Sequence, residues 1–167
     1  YYFALKAGDN VGNVSALSNV IAATTKAVAV VFRDDFEYGF DNWNVPGNTW
    51  GLWHIANHRY ASPSHAMYYG KDTTLTYDTG SGNRGNLTSI PINLAGVQES
   101  LLSFNYFLAT ENLWPYDAAR VQVSADNGWT WSDLFATTTS TGGMIKKNLS
   151  LAAYDGKFIR LRFYFDT

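Results

Sequence analysis

The chain has 167 residues, no cysteine and a formal net charge of −2, with 46% hydrophobic and 16% charged residues. The lack of cysteine excludes disulfides, thiolate metal ligands and cysteine nucleophiles. The slightly negative charge gives no electrostatic basis for nucleic-acid binding. Enough apolar residues are present for a dry core, and a surface of Ser, Thr, Asn and Gly favours an all-β extracellular domain. No apolar stretch is long enough to span a membrane.

The first 27 residues predict two strands and a linker. Tyr1–Lys6 and Val14–Ala23 have strand character, and Gly8–Gly12 between them is typical of a turn. Thr24–Val31 then reads as a linker that merges into the next strand. Because the chain begins within a strand-like segment and without a signal peptide, we expect it to be a piece of a longer protein.

Residues 28–167 contain many short strand patterns separated by turn signals. Asp34–Asn57 holds three tryptophans among Gly, Asn and Pro residues, and we expect irregular loops between short strands there. The predicted strands are His65–Tyr69, Thr73–Tyr77, Asn86–Ile92, Ser100–Leu108, Ala118–Ala125, Trp129–Phe135, Lys146–Leu151 and Phe158–Phe165.

The Val121–Trp131 segment is the clearest hairpin. Its first residues alternate apolar and polar side chains, and Asp126–Gly128 tolerates the positive φ angles of a tight reversal. Trp129 and Trp131 are then expected on one face of the returning strand. No segment has a helical period, so the sequence predicts two packed antiparallel sheets, in a sandwich or a barrel.

Two further strands show a strict two-residue period. In the strand from Ser100 the residues expected on one face are Leu102, Phe104, Tyr106 and Leu108. In the last strand Ile159, Leu161, Phe163 and Phe165 are expected on one face, and Arg160, Arg162 and Tyr164 on the other.

Tyr1–Thr25 resembles the last two strands of a fibronectin type III domain. The resemblance is carried by an aromatic-rich strand, a Gly/Asn turn and the pattern Ser15-x-x-Ser18-Asn19 before the closing strand. It implies that residues 1–27 are the C-terminal hairpin of such a domain plus a linker.

Residues 28–167 resemble the MAM-like domain that accompanies immune inhibitor A-type metallopeptidases and other bacterial secreted proteins. The residues that carry the resemblance are Asp34–Glu37 with Trp43, Ser62–Ala66 with Gly70, Leu87–Leu94, Leu102–Phe107, Asp117–Ser124 with Gly128 and Trp131, and Leu161–Phe165. It implies an antiparallel jelly-roll β-sandwich of the MAM/concanavalin-like kind, non-catalytic and used for adhesion, substrate contact or domain packing.

The end of the chain departs from this family. Family members continue with a closing strand of the form Gly-Trp-Tyr-Ile-Asp-Asp-Val, whereas this sequence stops at Asp166-Thr167. A jelly roll that lacks this strand is expected to expose an unpaired edge at Phe158–Phe165. Either the sequence is a fragment, or another copy supplies the strand by strand exchange.

The resemblance also implies a structural calcium ion, because related jelly-roll domains hold one against their first strand. If Phe32–Glu37 is a strand, Asp35 and Glu37 point the same way and supply the oxygen ligands that Ca²⁺ prefers. The candidate metal ligands are Asp35, Glu37, Asp117 and Asp166. The alternative is a solvated acidic edge neutralised by Arg33 or Arg160.

A catalytic centre is not predicted. The three histidines, His54, His58 and His65, match no metallohydrolase spacing, and neither His-Glu-x-x-His nor Gly-x-Ser-x-Gly occurs. We expect His65 to orient a loop.

Trp114-Pro115-Tyr116 is the candidate ligand-binding segment. Proline would hold the two aromatic rings rigid in a loop, and flat exposed rings stack on sugars; the alternative is that Trp114 caps the end of the sandwich. Trp43, Trp53 and Trp131 are expected to pack in the core.

Three functions are compatible with these patterns. The first is a non-catalytic accessory or adhesion module of a bacterial secreted or cell-surface multidomain protein, with neighbouring domains, a glycan or a protein surface as partner. The second is a carbohydrate-binding module that uses Trp114 and Tyr116. The third is a structural subunit of an extracellular fibre assembled by strand exchange.

Overall fold

The computed structural model of this protein describes residues 2–19, 21–22, 29–46, 51–112 and 116–167. The chain forms two compact units, Tyr1–Val30 and Val31–Thr167. No described helix is long and apolar enough to cross a membrane.

The N-terminal unit is an antiparallel hairpin. Strand β1, Tyr2–Phe3, pairs with β2, Ile21–Ala22, and a bridge joins Gly8 to Val14. The turn is held by the Asp9 carboxylate, whose Oδ1 accepts the backbone N–H of Val11 at 3.0 Å and of Asn13 at 2.9 Å. Hydrogen bonds from Asn13 lower the pKa of the Asp9 carboxyl.

The described part of the larger unit contains ten strands and one short 3₁₀ turn, Ala152–Tyr154. Its strands are β3 Trp43–Asn44, β4 Trp53–Ala56, β5 Ala66–Tyr69, β6 Arg84–Ser89, β7 Ile92–Asn93, β8 Leu101–Tyr106, β9 Ala118–Ser124, β10 Ser132–Thr137, β11 Ile145–Ser150 and β12 Phe158–Asp166. All described pairings are antiparallel, so the all-β, antiparallel prediction is confirmed.

The main sheet has β12 at its centre. Its strand order is β10-β9-β12-β6-β3, and β7 pairs with the first residues of β12 on the same side as β6. The expectation of an unpaired edge at Phe158–Phe165 is therefore wrong. The outer strands of this sheet, within the described residues, are β10 and β3.

The core lies against one face of the main sheet. Ile159 and Leu161 of β12 are each 2% exposed and pack with Val123 of β9. Burying a side chain of this size stabilises the fold by about 1.5–3 kcal/mol. The other members of this cluster are Ile92, Leu94 and Leu151.

Two smaller sheets, β8–β11 and β4–β5, pack on the same face through aromatic contacts. The Phe104 ring of β8 meets Phe163 edge-on at 5.2 Å between centroids, and Tyr69 of β5 lies 5.1 Å from Phe165. The arrangement is a sandwich of extended strands. Its jelly-roll connectivity stays a prediction.

The predicted strand Thr73–Tyr77, and the strand that the calcium hypothesis assumed at Phe32–Glu37, are replaced by turns and irregular backbone. Thr73–Tyr77 is mostly a turn closed by a bridge between Lys71 and Thr76, with Leu75 at a φ of 56°. Phe32–Glu37 is irregular, because the Asp34 carboxylate accepts the backbone N–H of Phe36 at 2.9 Å and holds that residue at a φ of 61°. Such local side-chain bonds compete with a strand ladder.

Candidate functional site

A row of polar side chains crosses the outer face of the main sheet. In the strand register Asn44 lies opposite Thr88, Thr88 opposite Arg162, Arg162 opposite Gln122, and Gln122 opposite Asp133. Side chains of a strand alternate between the two faces of the sheet, and the residues next to these five along their strands face the core. These five side chains therefore lie on the opposite, outer face. The row therefore forms a continuous polar surface over five strands.

Hydrogen bonds connect one half of this row. Gln122 Nε2 donates to Asp133 Oδ1 at 2.7 Å, and its Oε1 accepts from Arg162 Nε at 2.7 Å. Asp133 also pairs with Arg120 at 2.9 Å. The planar amide of Gln122 thus fixes the direction of the Arg162 guanidinium.

The Arg162 guanidinium also stacks on an aromatic ring. Its central carbon lies 4.2 Å from the centroid of the Trp131 ring, within the range of a cation–π interaction. Partial burial lowers the pKa of Arg162, although a guanidinium stays charged in proteins. Trp131 is held in place by a hydrogen bond from its Nε1 to the carbonyl of Gly128 at 3.0 Å.

The turn that positions Trp131 is tightly bonded. Ser124 Oγ donates to Asp126 Oδ1 at 2.7 Å and accepts the Gly128 N–H at 2.8 Å, and the Thr130 N–H donates to Asp126. Hydrogen bonds from Ser124 and Thr130 lower the pKa of the Asp126 carboxyl. Asn127 and Gly128 adopt the predicted positive φ angles, 62° and 97°.

Trp131 is therefore not where the sequence placed it. The returning strand begins at Ser132, so Trp129 and Trp131 lie in the turn; Trp129 is 88% exposed and Trp131 is half-buried on the outer face. The core prediction for Trp131 is wrong, whereas that for Trp43, which is 7% exposed, is confirmed.

A groove of about 310 Å³ lies between this turn and the polar row. The described residues that line it are Asn44, Asn86, Thr88, Asn127, Arg160 and Arg162, which are polar, together with Pro46, Gly128 and Trp131. Its volume is at the lower end of the roughly 300–1,000 Å³ of small-molecule sites. The groove therefore has the size of a small ligand or of a short stretch of a polymer.

Two cations, Arg160 and Arg162, face the groove, and the described lining residues include no carboxylate. Arg160 Nε donates to Asn127 Oδ1 at 2.8 Å, and its Nη1 donates to the carbonyl of Ser89 at 2.9 Å. Within the described residues, Nη2 of Arg160 and both Nη atoms of Arg162 have no hydrogen-bond partner. These donors are available to a ligand.

The candidate calcium ligands Asp35 and Glu37 have protein partners. Glu37 accepts hydrogen bonds from Ser62, Ser64 and His65, including the His65 backbone N–H at 3.0 Å. Those from Ser64 and His65 lower the pKa of the Glu37 carboxyl. Asp35 pairs with Arg33 at 3.4 Å.

The other two candidate ligands lie at one end of the main sheet. Asp166 is opposite Ala118, the residue after Asp117. Asp117 is 7% exposed and accepts a hydrogen bond from the Tyr77 hydroxyl at 2.8 Å. Burial, together with this hydrogen bond, raises the pKa of Tyr77. Among the described residues, no group of three or more His, Cys, Asp or Glu side chains could hold a metal ion.

The histidines divide between two carboxylates. His54 and His58 contact Asp72 through their Nε2 atoms at 3.0 and 3.1 Å, and both lower the pKa of the Asp72 carboxyl. His65 contacts Glu37 through its backbone N–H and its Nδ1, both at 3.0 Å, and its role in orienting the loop stays a prediction.

The loop candidate is only partly described. Tyr116 is 65% exposed, whereas Trp114 lies outside the described residues.

Neither the models of known protein families nor the sequences of curated proteins match this chain.

The groove was not predicted as a site. The alternation in β12 placed Arg160 and Arg162 on the polar face, but Asn44, Thr88 and Asn127 come from three other segments, and no sequence pattern links those segments to one another. Only the strand register brings them together.

Proposed function

We propose that this chain is a non-catalytic accessory module of a bacterial secreted or cell-surface multidomain protein, and that the groove on the main sheet is its contact site. Its partners would be a polymer or protein surface outside the cell, together with the neighbouring domains of its own polypeptide.

The groove is the observation that carries this proposal. Its lining consists of asparagine, arginine, threonine and tryptophan side chains, with proline and glycine backbone. Amides, guanidinium groups and aromatic rings are suited to holding a ligand. The groups that most often act as general acids, bases or nucleophiles are absent from this described lining.

A binding assay on immobilised extracellular polymers tests the proposal. A panel of polysaccharides and matrix proteins is incubated with the whole chain and with Thr88→Tyr, which places a ring in the groove. We expect the wild type to bind at least one polymer and Thr88→Tyr to lose that binding, because the ring occupies the ligand's volume.

The matched control is Asn148→Tyr, which adds a ring to an exposed position on β11. It should bind like the wild type. Equal binding by Thr88→Tyr and the wild type would reject the groove as the contact site.

A carbohydrate-binding module that uses Trp114 and Tyr116 is the second candidate. The exposure of Tyr116 supports it, since an exposed ring can stack on a sugar. In the same assay, loss of binding in Tyr116→Ala but not in Thr88→Tyr would favour this loop over the groove.

The fibre hypothesis is less well supported. Because β12 is paired on both sides, strand exchange would have to use another strand, such as β10 or β3.

A further inference from the structure

We propose that the groove on the main sheet binds a carboxylated sugar residue of an acidic polysaccharide. This inference rests on the proposed function of the groove as a contact site and names its ligand.

The charges around the groove favour an anion. The groove lies over three rows of paired residues that cross the sheet through Arg160, Arg162 and Tyr164 of β12. The charged side chains in these rows are Arg120, Arg160, Arg162 and Asp133. Asp133 pairs with Arg120 and also attracts Arg162 electrostatically, so the carboxylate in these rows is shared and the arginines outnumber it three to one. The chain as a whole carries a net charge of −2, so this positive patch is local.

The geometry of the arginines suits a carboxylate. A guanidinium presents parallel N–H groups that match the two oxygens of a carboxylate. Arg160 is held by Asn127 and the Ser89 carbonyl, and Arg162 by Gln122 and the Trp131 ring. Because these contacts already order both side chains, binding loses less conformational entropy.

The remaining lining favours a ligand that also carries hydroxyl groups. The amides of Asn44 and Asn127 and the Thr88 hydroxyl each offer both donors and acceptors. Among the residues that the structure describes, Asn86 Oδ1 is buried and has no hydrogen-bond partner. The Asn86 amide can rotate so that Oδ1 faces the groove without breaking a hydrogen bond of Oδ1. Oδ1 can then accept a hydrogen bond from a sugar hydroxyl.

These features together distinguish a sugar acid from other anions. Inorganic phosphate lacks C–H groups to contact the Trp131 ring, and an acidic peptide presents carboxylates with few hydroxyls. A uronic acid residue has a carboxylate, neighbouring hydroxyls and a ring with C–H faces, so it can engage all three kinds of lining group.

Titration calorimetry with defined oligosaccharides tests the inference. The probes are tetramers of galacturonate, guluronate and hyaluronan, which distinguish the sources of the uronate, a neutral galactose tetramer and a tetraglutamate peptide. We expect at least one acidic saccharide to bind more tightly than the neutral one, with an affinity that falls as salt rises.

Arg162→Gln is the diagnostic variant. Charge-assisted hydrogen bonds contribute about 1.5–3 kcal/mol, so we expect acidic-saccharide binding to weaken by roughly 10- to 100-fold. Lys146→Gln removes an exposed charge from β11 and should bind like the wild type. Asn127→Asp, at an exposed turn position, should also weaken binding, because its carboxylate would pair with Arg160; it keeps the test decisive if Arg162→Gln does not fold.

The outcomes separate the inference from the function on which it rests. Two results would overturn the inference: equal affinity for the neutral and acidic tetramers, or binding of tetraglutamate alone. If Thr88→Tyr weakens that binding, the groove is still a contact site. Acidic-saccharide binding that neither Arg162→Gln nor Asn127→Asp alters would overturn the assignment of the ligand to the groove. If the wild-type chain binds neither the immobilised polymers nor any of the tetramers, both proposals are rejected.

Discussion

Single carboxylates organise the loops of the larger unit. Glu37 joins the Ser62–Ala66 loop to the segment before β3, and Asp126 closes the turn between β9 and β10. Each accepts several hydrogen bonds in its ionised form, and these bonds lower its pKa. Protonation of either carboxylate removes hydrogen-bond acceptor capacity, so the stability of these loops depends on pH.

Acidification should therefore destabilise the protein. The folded pKa of Glu37 lies below its ordinary value of 4.5, so its contribution is complete above that pH and is lost as the pH falls toward the folded pKa. Urea unfolding at a series of pH values should show a falling free energy of unfolding below about pH 4.5.

Glu37→Gln is expected to be less stable than the wild type at neutral pH and to lose less stability on acidification. The control is Glu99→Gln at an exposed position, which should retain the wild-type pH dependence. A wild-type pH dependence in Glu37→Gln would show that Glu37 is not responsible.

At the scale of elements, strict alternation of apolar and polar residues predicted strands better than a segment's content of strand-favouring residues did. The faces predicted for Leu102, Phe104 and Tyr106 in β8 and for Ile159 and Leu161 in β12 agree with their burial. The strand prediction for Thr73–Tyr77 was wrong, and the strand that the calcium hypothesis assumed at Phe32–Glu37 does not form, because local turn and side-chain hydrogen bonds prevail in both segments. The groove could not be predicted, because the register that assembles it is a tertiary property.

The central position of β12 predicts the effect of a mutation in it. Leu161 is 2% exposed in the main cluster, so Leu161→Ala leaves a cavity and should cost about 2–5 kcal/mol of unfolding free energy. Leu101→Ala in β8, where the side chain is 60% exposed, should change it by less than about 0.5 kcal/mol. Urea unfolding measures both, and similar costs for the two variants would contradict this view of the core.

At the scale of the whole molecule, calcium binding stays a prediction that melting experiments can test. A cation held by the native state alone raises the melting temperature by mass action. If Asp35 and Glu37 hold a calcium ion, thermal melting should shift upward in millimolar calcium relative to EDTA, and Asp35→Asn should reduce the shift. Identical melting in calcium and EDTA would eliminate this site.

The main sheet also constrains how the polypeptide is made. β12 contacts β6, β7 and β9, all of which leave the ribosome before it does. The β7 ladder cannot be complete until translation has passed residue 159, nor the β6 and β9 ladders until it has passed residue 166, and contacts so distant along the chain form slowly. During synthesis these unfinished ladders stay open to wrong pairing, and a chaperone that covers nascent strands would have most effect at this stage.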